Sequence, residues 1–142
     1  MITAIDTNVL LDVFGADPRF GPGSSEALRR CLREGALIAS EVVWVETATV
    51  FGDAGRFRDA MHKLPVSFSP MTEAAAIKAA EAWRRYRAGG GPRDRIAADF
   101  LIGAHALIAA DRLLTRDRGF YRRYFAGLRV VDPTTGRQSG RG

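Results

Sequence analysis

The sequence predicts an α/β sandwich: a short, mostly parallel central sheet with helices on both faces. Short apolar runs of strand length alternate with longer helical stretches along the whole chain, the pattern of successive strand–helix–strand units. Parallel neighbours need right-handed crossovers, and these place helices on both faces. Residues 96–110 are apolar nearly all round and read as a helix buried at the centre.

Taken in order, residues 2–5 read as a buried strand, and Thr7 or Asn8 caps a short helix through about Phe14. Residues 15–23 hold three glycines and two prolines and read as a loop. Ser24 or Ser25 caps a helix that Gly35 terminates. Residues 36–39 form a second strand. Ser40 caps a helix that carries Glu46 and stops near Gly52. A further helix covers 56–64, and 66–69 is the third strand. Ser69-Pro70 starts a long helix, with proline at the first helical position, where its missing N–H costs nothing. Gly89-Gly90-Gly91-Pro92 breaks that helix. After the central helix, 112–115 and 128–131 are the last two strands. Residues 1–132 make one domain without internal repeats, and the polar, Gly-rich residues 133–142 are a tail expected to fray.

With 142 residues, 46% hydrophobic and 26% charged, the chain has the length and balance of an ordinary globular domain with a real core. The formal net charge is +5, and all the basic residues except Lys63 and Lys78 are arginine. That balance favours polyanionic partners, nucleic acid first. Cys31 is the one cysteine, which excludes an internal disulfide framework and a multi-cysteine zinc site. No apolar run approaches the ~20 residues needed to span a bilayer. The start of the chain does not read as a signal peptide. The expected location is the cytoplasm.

Four acids stand on core-forming segments. Asp6 ends Met-Ile-Thr-Ala-Ile, Glu46 lies in Val-Val-Trp-Val-Glu-Thr-Ala, Asp99 interrupts Ile-Ala-Ala-Asp-Phe-Leu-Ile, and Asp117 follows Leu-Leu-Thr-Arg. A buried carboxylate is costly unless something compensates its charge. A hard divalent cation, which prefers oxygen ligands, would compensate all four at once. Ligands of parallel sheets bind beyond the carboxyl ends of the strands. Asp6 and Asp117 follow the first and fourth strands, and Glu46 is in the second turn of the helix after the second, so these three share one edge. The direction of the helix carrying Asp99 is left open by the sequence.

Each acid also has a plainer reading. Asp6 is favourable charge at a helix start, Glu46 a solvated acid beside Thr47 and Thr49, and Asp117 a turn residue. If the strand stays extended, Thr115 and Asp117 point to one side, and the Thr115 hydroxyl orients the carboxylate or a water. Asn8 hydrogen-bonds to Asp6 or to substrate. Gly103, four residues after Asp99, costs a helix about 1 kcal/mol relative to alanine and signals a close approach. Glu41, Asp94 and Asp111 read as a first-turn acid, a solvated loop charge and a helix-end surface charge. His62 and His105 are too few and too separated for a histidine metal site; His105 reads as a satisfied core residue and Cys31 as a small buried one. Arg84, Arg85 and Arg87 read as a solvated helix face. The glycines at 89–91 lack a dinucleotide-loop context, and no phosphate-loop or nucleophile-elbow motif exists.

Taken together, Ile5-Asp6-Thr7-Asn8, Ser40 with Glu46 six residues on, Asp99-Phe100-Leu101-Ile102-Gly103-Ala104, and Leu114-Thr115-Arg116-Asp117 with Phe120 resemble the PIN domain. Within that family they are similar to the VapC-type toxins of toxin–antitoxin pairs. The resemblance covers residues 2–131 and implies a PIN-like α/β/α sandwich. It implies an endoribonuclease that needs Mg²⁺ or Mn²⁺, forms a homodimer, and is held inactive by a cognate VapB-like antitoxin. The family's catalytic and metal-binding acids carry over onto Asp6, Glu46, Asp99 and Asp117, and its substrate-orienting groups onto Asn8 and Thr115. Two divalent ions would balance four crowded carboxylates and serve hydrolysis without a histidine base.

Two non-enzyme readings compete. A phospho-receiver needs an acidic pair after the first strand and an aspartate after the third; here a single Asp6 and Ser69-Pro70 stand there. A nucleic-acid-binding domain without catalysis would keep binding when the four acids are removed. A haloacid-dehalogenase-type phosphatase needs Asp-x-Asp, and the chain has Asp6-x-Asn8.

Overall fold

The computed structural model describes residues 1–92 and 97–134. Five strands, β1 (Ile2–Ile5), β2 (Ala36–Ala39), β3 (Val66–Phe68), β4 (Arg112–Leu114) and β5 (Val130–Val131), form one sheet in the order β3-β2-β1-β4-β5. All four pairings are parallel, so the sheet is wholly rather than mostly parallel. Helices α1 (Thr7–Phe14), α2 (Gly21–Glu34), α3 (Glu41–Phe51), α4 (Ala54–Lys63), α5 (Glu73–Ala88), α6 (Ala97–Ala109) and α7 (Arg118–Tyr124) fill the connections. The chain walks outward from β1 to β3, then crosses to β4 on the other side of β1. The order reverses between β1 and β4, and in parallel sheets the carboxyl ends at such a reversal are where ligands bind. Because every strand is parallel, α6 must run from the carboxyl edge back to the amino edge to feed β4. Asp99, in its first turn, therefore lies at the carboxyl edge with the other three acids.

The strands are short and the centre of the sheet is buried. Ala4, Ile5, Leu37, Ala39, Leu113 and Leu114 are buried. Trp83 stacks on Phe100 at 5.8 Å, and Tyr86, Phe120 and Tyr124 pack edge-on or tilted around them. Gly103 does mark a close approach, but to a ring: a Cβ there would sit 2.5 Å from Phe125. His105 is buried with Nε2 3.0 Å from the Ser69 hydroxyl. Cys31 is fully buried, as expected. At the amino edge, Ile2 N–H donates to the Asp111 carboxylate at 2.6 Å, so this surface acid also ties down the first strand.

Several boundaries differ from the sequence reading, each for a local reason. The cap of α1 is Asp6 itself, whose Oδ1 accepts from Thr7 N–H at 2.7 Å. Helix α2 begins at Gly21, with Pro22 in its first turn, and Ser24 lies inside it. The loop is therefore 15–20, and Ser24 spends its hydroxyl on Asp12 at 2.8 Å rather than on a cap. Ser40 stands at the cap of α3 without a side-chain cap bond. Asp53 caps α4 through Gly55 N–H at 2.8 Å. Thr72 caps α5 through Ala75 N–H at 3.2 Å, so Pro70 stays outside the helix. Helix α7 was not expected: residues 118–124 lack a clean apolar stripe, and the fold supplies the packing. Asp94 and Ile96, and 135–142 of the expected tail, lie outside the described residues. Among those described, no helix is long and apolar enough to cross a membrane.

Candidate active site

The two strands that flank the switch point are followed by Asp6 and Thr115. Asp6 follows β1, its backbone N–H still bonded to Leu114 O at 3.0 Å. The residue is 5% exposed, and its carboxylate is met by four donors. Thr7 N–H occupies Oδ1. Oδ2 accepts from the Thr115 hydroxyl at 2.7 Å, the Tyr121 phenol at 3.1 Å and the Asn8 amide at 3.4 Å. Thr115 Oγ1 in turn accepts from Asp117 N–H at 3.0 Å. This turn bends the chain after Leu114, so residues 115–117 are not the extended continuation considered above. Asn8 uses its other end to accept from Arg116 N–H at 3.3 Å. The two orienting residues expected from sequence, Asn8 and Thr115, are thus both in contact with Asp6.

Burial pushes the Asp6 carboxyl up to about 6 from 3.8, partly offset by the hydrogen bonds of Thr115, Thr7 and Tyr121, while the nearby charge of Asp99 adds to the rise. Burial also drives the Tyr121 phenol far above its ordinary range, with the charges of Asp6, Asp99 and Asp117 pushing the same way. Tyr121 is therefore a permanent donor. Asp6, Asp99 and Asp117 act on one buried point, which places these three acids in one electrostatic field.

Glu46 is reached differently. It is exposed on α3, and its Oε1 accepts from the Thr7 hydroxyl at 2.7 Å. Thr7 thereby links Glu46 to the same helix start as Asp6. The sequence argument from buried acids holds in full for Asp6 alone: Asp99 and Asp117 are half-buried. The other fully buried acid among the described residues is Asp12, 4% exposed. It satisfies its charge with Arg116, Nε to Oδ2 at 2.7 Å and Nη2 to Oδ1 at 3.1 Å. Asp12 sits in Leu-Leu-Asp-Val-Phe and meets the same criterion that picked out the other four. Tyr121 had no such signal, since an aromatic beside arginines reads as surface or core.

Carboxylate and hydroxyl oxygens suit a hard divalent cation, and a buried carboxylate with a second negative charge nearby is the condition such a cation relieves. Among the described residues, however, no three acids, histidines or cysteines stand close enough to form a ready coordination shell.

The family model for the PIN domain matches residues 3–126. This chain belongs to the PIN-domain family. The match takes in Asp6, Glu46, Asp99 and Asp117. No curated protein sequence matches the chain. Solved structures share the PIN fold nearly end to end. A chain of VapBC2 from Rickettsia felis, bound to a promoter DNA fragment, superposes with a TM-score of 0.70 at 17% identity, covering 93% of this chain and 98% of that one. A toxin–antitoxin complex from Klebsiella pneumoniae gives 0.66 at 20%, covering 92% and 97%. FitAcB from Neisseria gonorrhoeae gives 0.67 at 23%, covering 94% and 99%. At these identities the likeness is one of fold.

Proposed function

We propose that this PIN domain is a metal-dependent endoribonuclease acting as the toxin of a toxin–antitoxin pair. The observation that carries the reading is Asp6: a buried carboxylate at the switch point, oriented by Thr115, Tyr121, Asn8 and Thr7, sharing a field with Asp99 and Asp117. Asp6, Asp99, Asp117 and Glu46 would hold Mg²⁺ or Mn²⁺. A divalent ion bound there supplies Lewis-acid activation of water and charge neutralisation at the scissile phosphate. The protein's own groups do the positioning. Thr115 and Tyr121 direct their protons at Oδ2 and leave Asp6 only restricted freedom to turn. Thr7 presents Glu46 through one hydroxyl, and Asn8 joins the Asp6 and Thr115 sides of the crevice. Arg122 and Arg123, next to Tyr121 on α7, would offset the repulsion between the acids and a phosphate backbone.

The toxin–antitoxin reading is supported by the company of the fold, since a toxin–antitoxin complex and VapBC assemblies are among its neighbours. The partner expected is a VapB-like antitoxin, and the active form a homodimer in the cytoplasm. Induced expression without a partner should halt growth and produce cleaved RNA with mappable ends. Asp6→Ala or Asp99→Ala should restore growth. Equal toxicity of wild type and both variants would show that this site is not the cause. Co-expression of the native operon should yield a complex with a small partner and suppressed cleavage. A chain that elutes alone with full activity would remove the antitoxin from the proposal.

A further inference from the structure

The turn that carries Asp117 is anchored at three points. Thr115 reaches Asp6 at 2.7 Å, Arg116 N–H reaches Asn8 at 3.3 Å, and the Arg116 side chain reaches Asp12. The third anchor is the strongest: a two-point clamp at 2.7 and 3.1 Å on a carboxylate whose side chain is 5% exposed, the arginine being 28% exposed. Paired forks of this kind fix orientation as well as distance. The Ser24 hydroxyl holds Asp12 Oδ2 from α2 at 2.8 Å. The Phe20 ring lies 4.0 Å under the guanidinium, a favourable placement for a cation. All three anchoring residues, Asp6, Asn8 and Asp12, stand on α1 or its cap. A rigid helix therefore carries Asp6 at one end and, further along, the clamp that sets the far side of the crevice.

We infer that Asp12 is a positioning residue for the carboxylate site. Through Arg116 it fixes the turn at residues 115–117, and so fixes where Asp117 stands relative to Asp6. This rests on the nuclease reading for its effect on activity, but not for its effect on the turn. If the ion pair only stabilised the fold, breaking it would lower stability and leave the turn and the metal dependence as they were.

The test uses Asp12→Asn, which keeps the shape and loses the charge, and Arg116→Lys, a milder change that keeps the charge and loses the fork. Hydrogen exchange of the Asp117 amide, bonded to Thr115 Oγ1, is read in metal-free protein. Its protection should fall about tenfold or more in each folded variant, with the Asp6 amide of the sheet unchanged. The Mn²⁺ concentration giving half-maximal cleavage of a short single-stranded RNA should rise about 10-fold or more, as for other residues that orient metal ligands. The KM for RNA should stay within about twofold, and activity should return at saturating Mn²⁺. A folded variant with wild-type Asp117 exchange and wild-type Mn²⁺ dependence overturns the proposal. If Asp12→Asn fails to fold, Arg116→Lys decides alone. A wild-type chain that cleaves no RNA under any metal sinks the nuclease reading instead, and the exchange measurement still decides whether Asp12 sets the turn.

Discussion

Asp6 is both the best-supported and the most costly side chain in the crevice. Its carboxyl sits at about 6 when folded against 3.8 ordinarily, so the folded state binds a proton more tightly than the unfolded chain. The cost of burying the charge is present in full above pH 6. It shrinks as pH falls from 6 towards 3.8 and is gone below, a linkage effect on the order of 2–3 kcal/mol at most. In metal-free protein Asp6→Asn is therefore expected to melt higher than wild type at pH 7.5, with the difference closing by about pH 4. Melting curves at both pH values check this. A variant that melts lower at pH 7.5 would mean that its lost hydrogen bonds outweigh the relieved charge. Asp6 was legible because an acid after an apolar strand is conspicuous. Tyr121 was not: its contact with Asp6 exists only because α7 folds back over the end of β1.

At the scale of the element, two substitutions separate sequence rules from packing. Serine at a helix cap usually contributes about 1 kcal/mol. Ser40, however, makes no cap bond, and its buried hydroxyl has no hydrogen-bond partner among the described residues. Ser40→Ala is accordingly expected to leave the melting temperature unchanged or to raise it, because an unsatisfied buried hydroxyl is removed. A loss of about 1 kcal/mol or more would restore the ordinary cap reading. Gly103→Ala should be destabilising despite alanine's helix propensity, which favours it by about 1 kcal/mol. Its Cβ would meet the Phe125 ring at 2.5 Å, and overpacking of this kind costs about 1–3 kcal/mol. Chemical denaturation measures the loss, and Phe125→Leu in the same chain should recover part of it. Helix starts at Gly21 and Glu73 were misplaced in sequence because several residues in each stretch are competent caps, and only tertiary contacts, such as Ser24 with Asp12, choose among them.

The molecule as a whole carries a net charge of +5, and α7, the helix that brings Tyr121 to Asp6, also carries Arg122 and Arg123 in its last turn. If this is the face that meets RNA, affinity for a single-stranded oligonucleotide without metal should fall about tenfold between about 50 and 200 mM salt. Arg122→Ala with Arg123→Ala should reduce the salt slope by about one to two contacts. Fluorescence anisotropy reads both. A slope unchanged in that double variant would move the RNA-binding face elsewhere on the surface.

The sequence by itself determined the alternation of elements, the parallel sheet and the four acids, because hydrophobic periodicity and an acid in an apolar run are local properties of the chain. It also determined that Asp6, Asn8 and Thr115 belong together, through the family pattern they share. Only the tertiary structure decided which acids are buried and how each is satisfied. Asp6 is buried under four donors, Asp12 is neutralised by an arginine 104 residues away, and Glu46 is exposed and tied in through Thr7. Burial and charge compensation depend on which distant segments pack together. The strand order that brings β4 beside β1 is what turns residues separated by more than a hundred positions into one crevice.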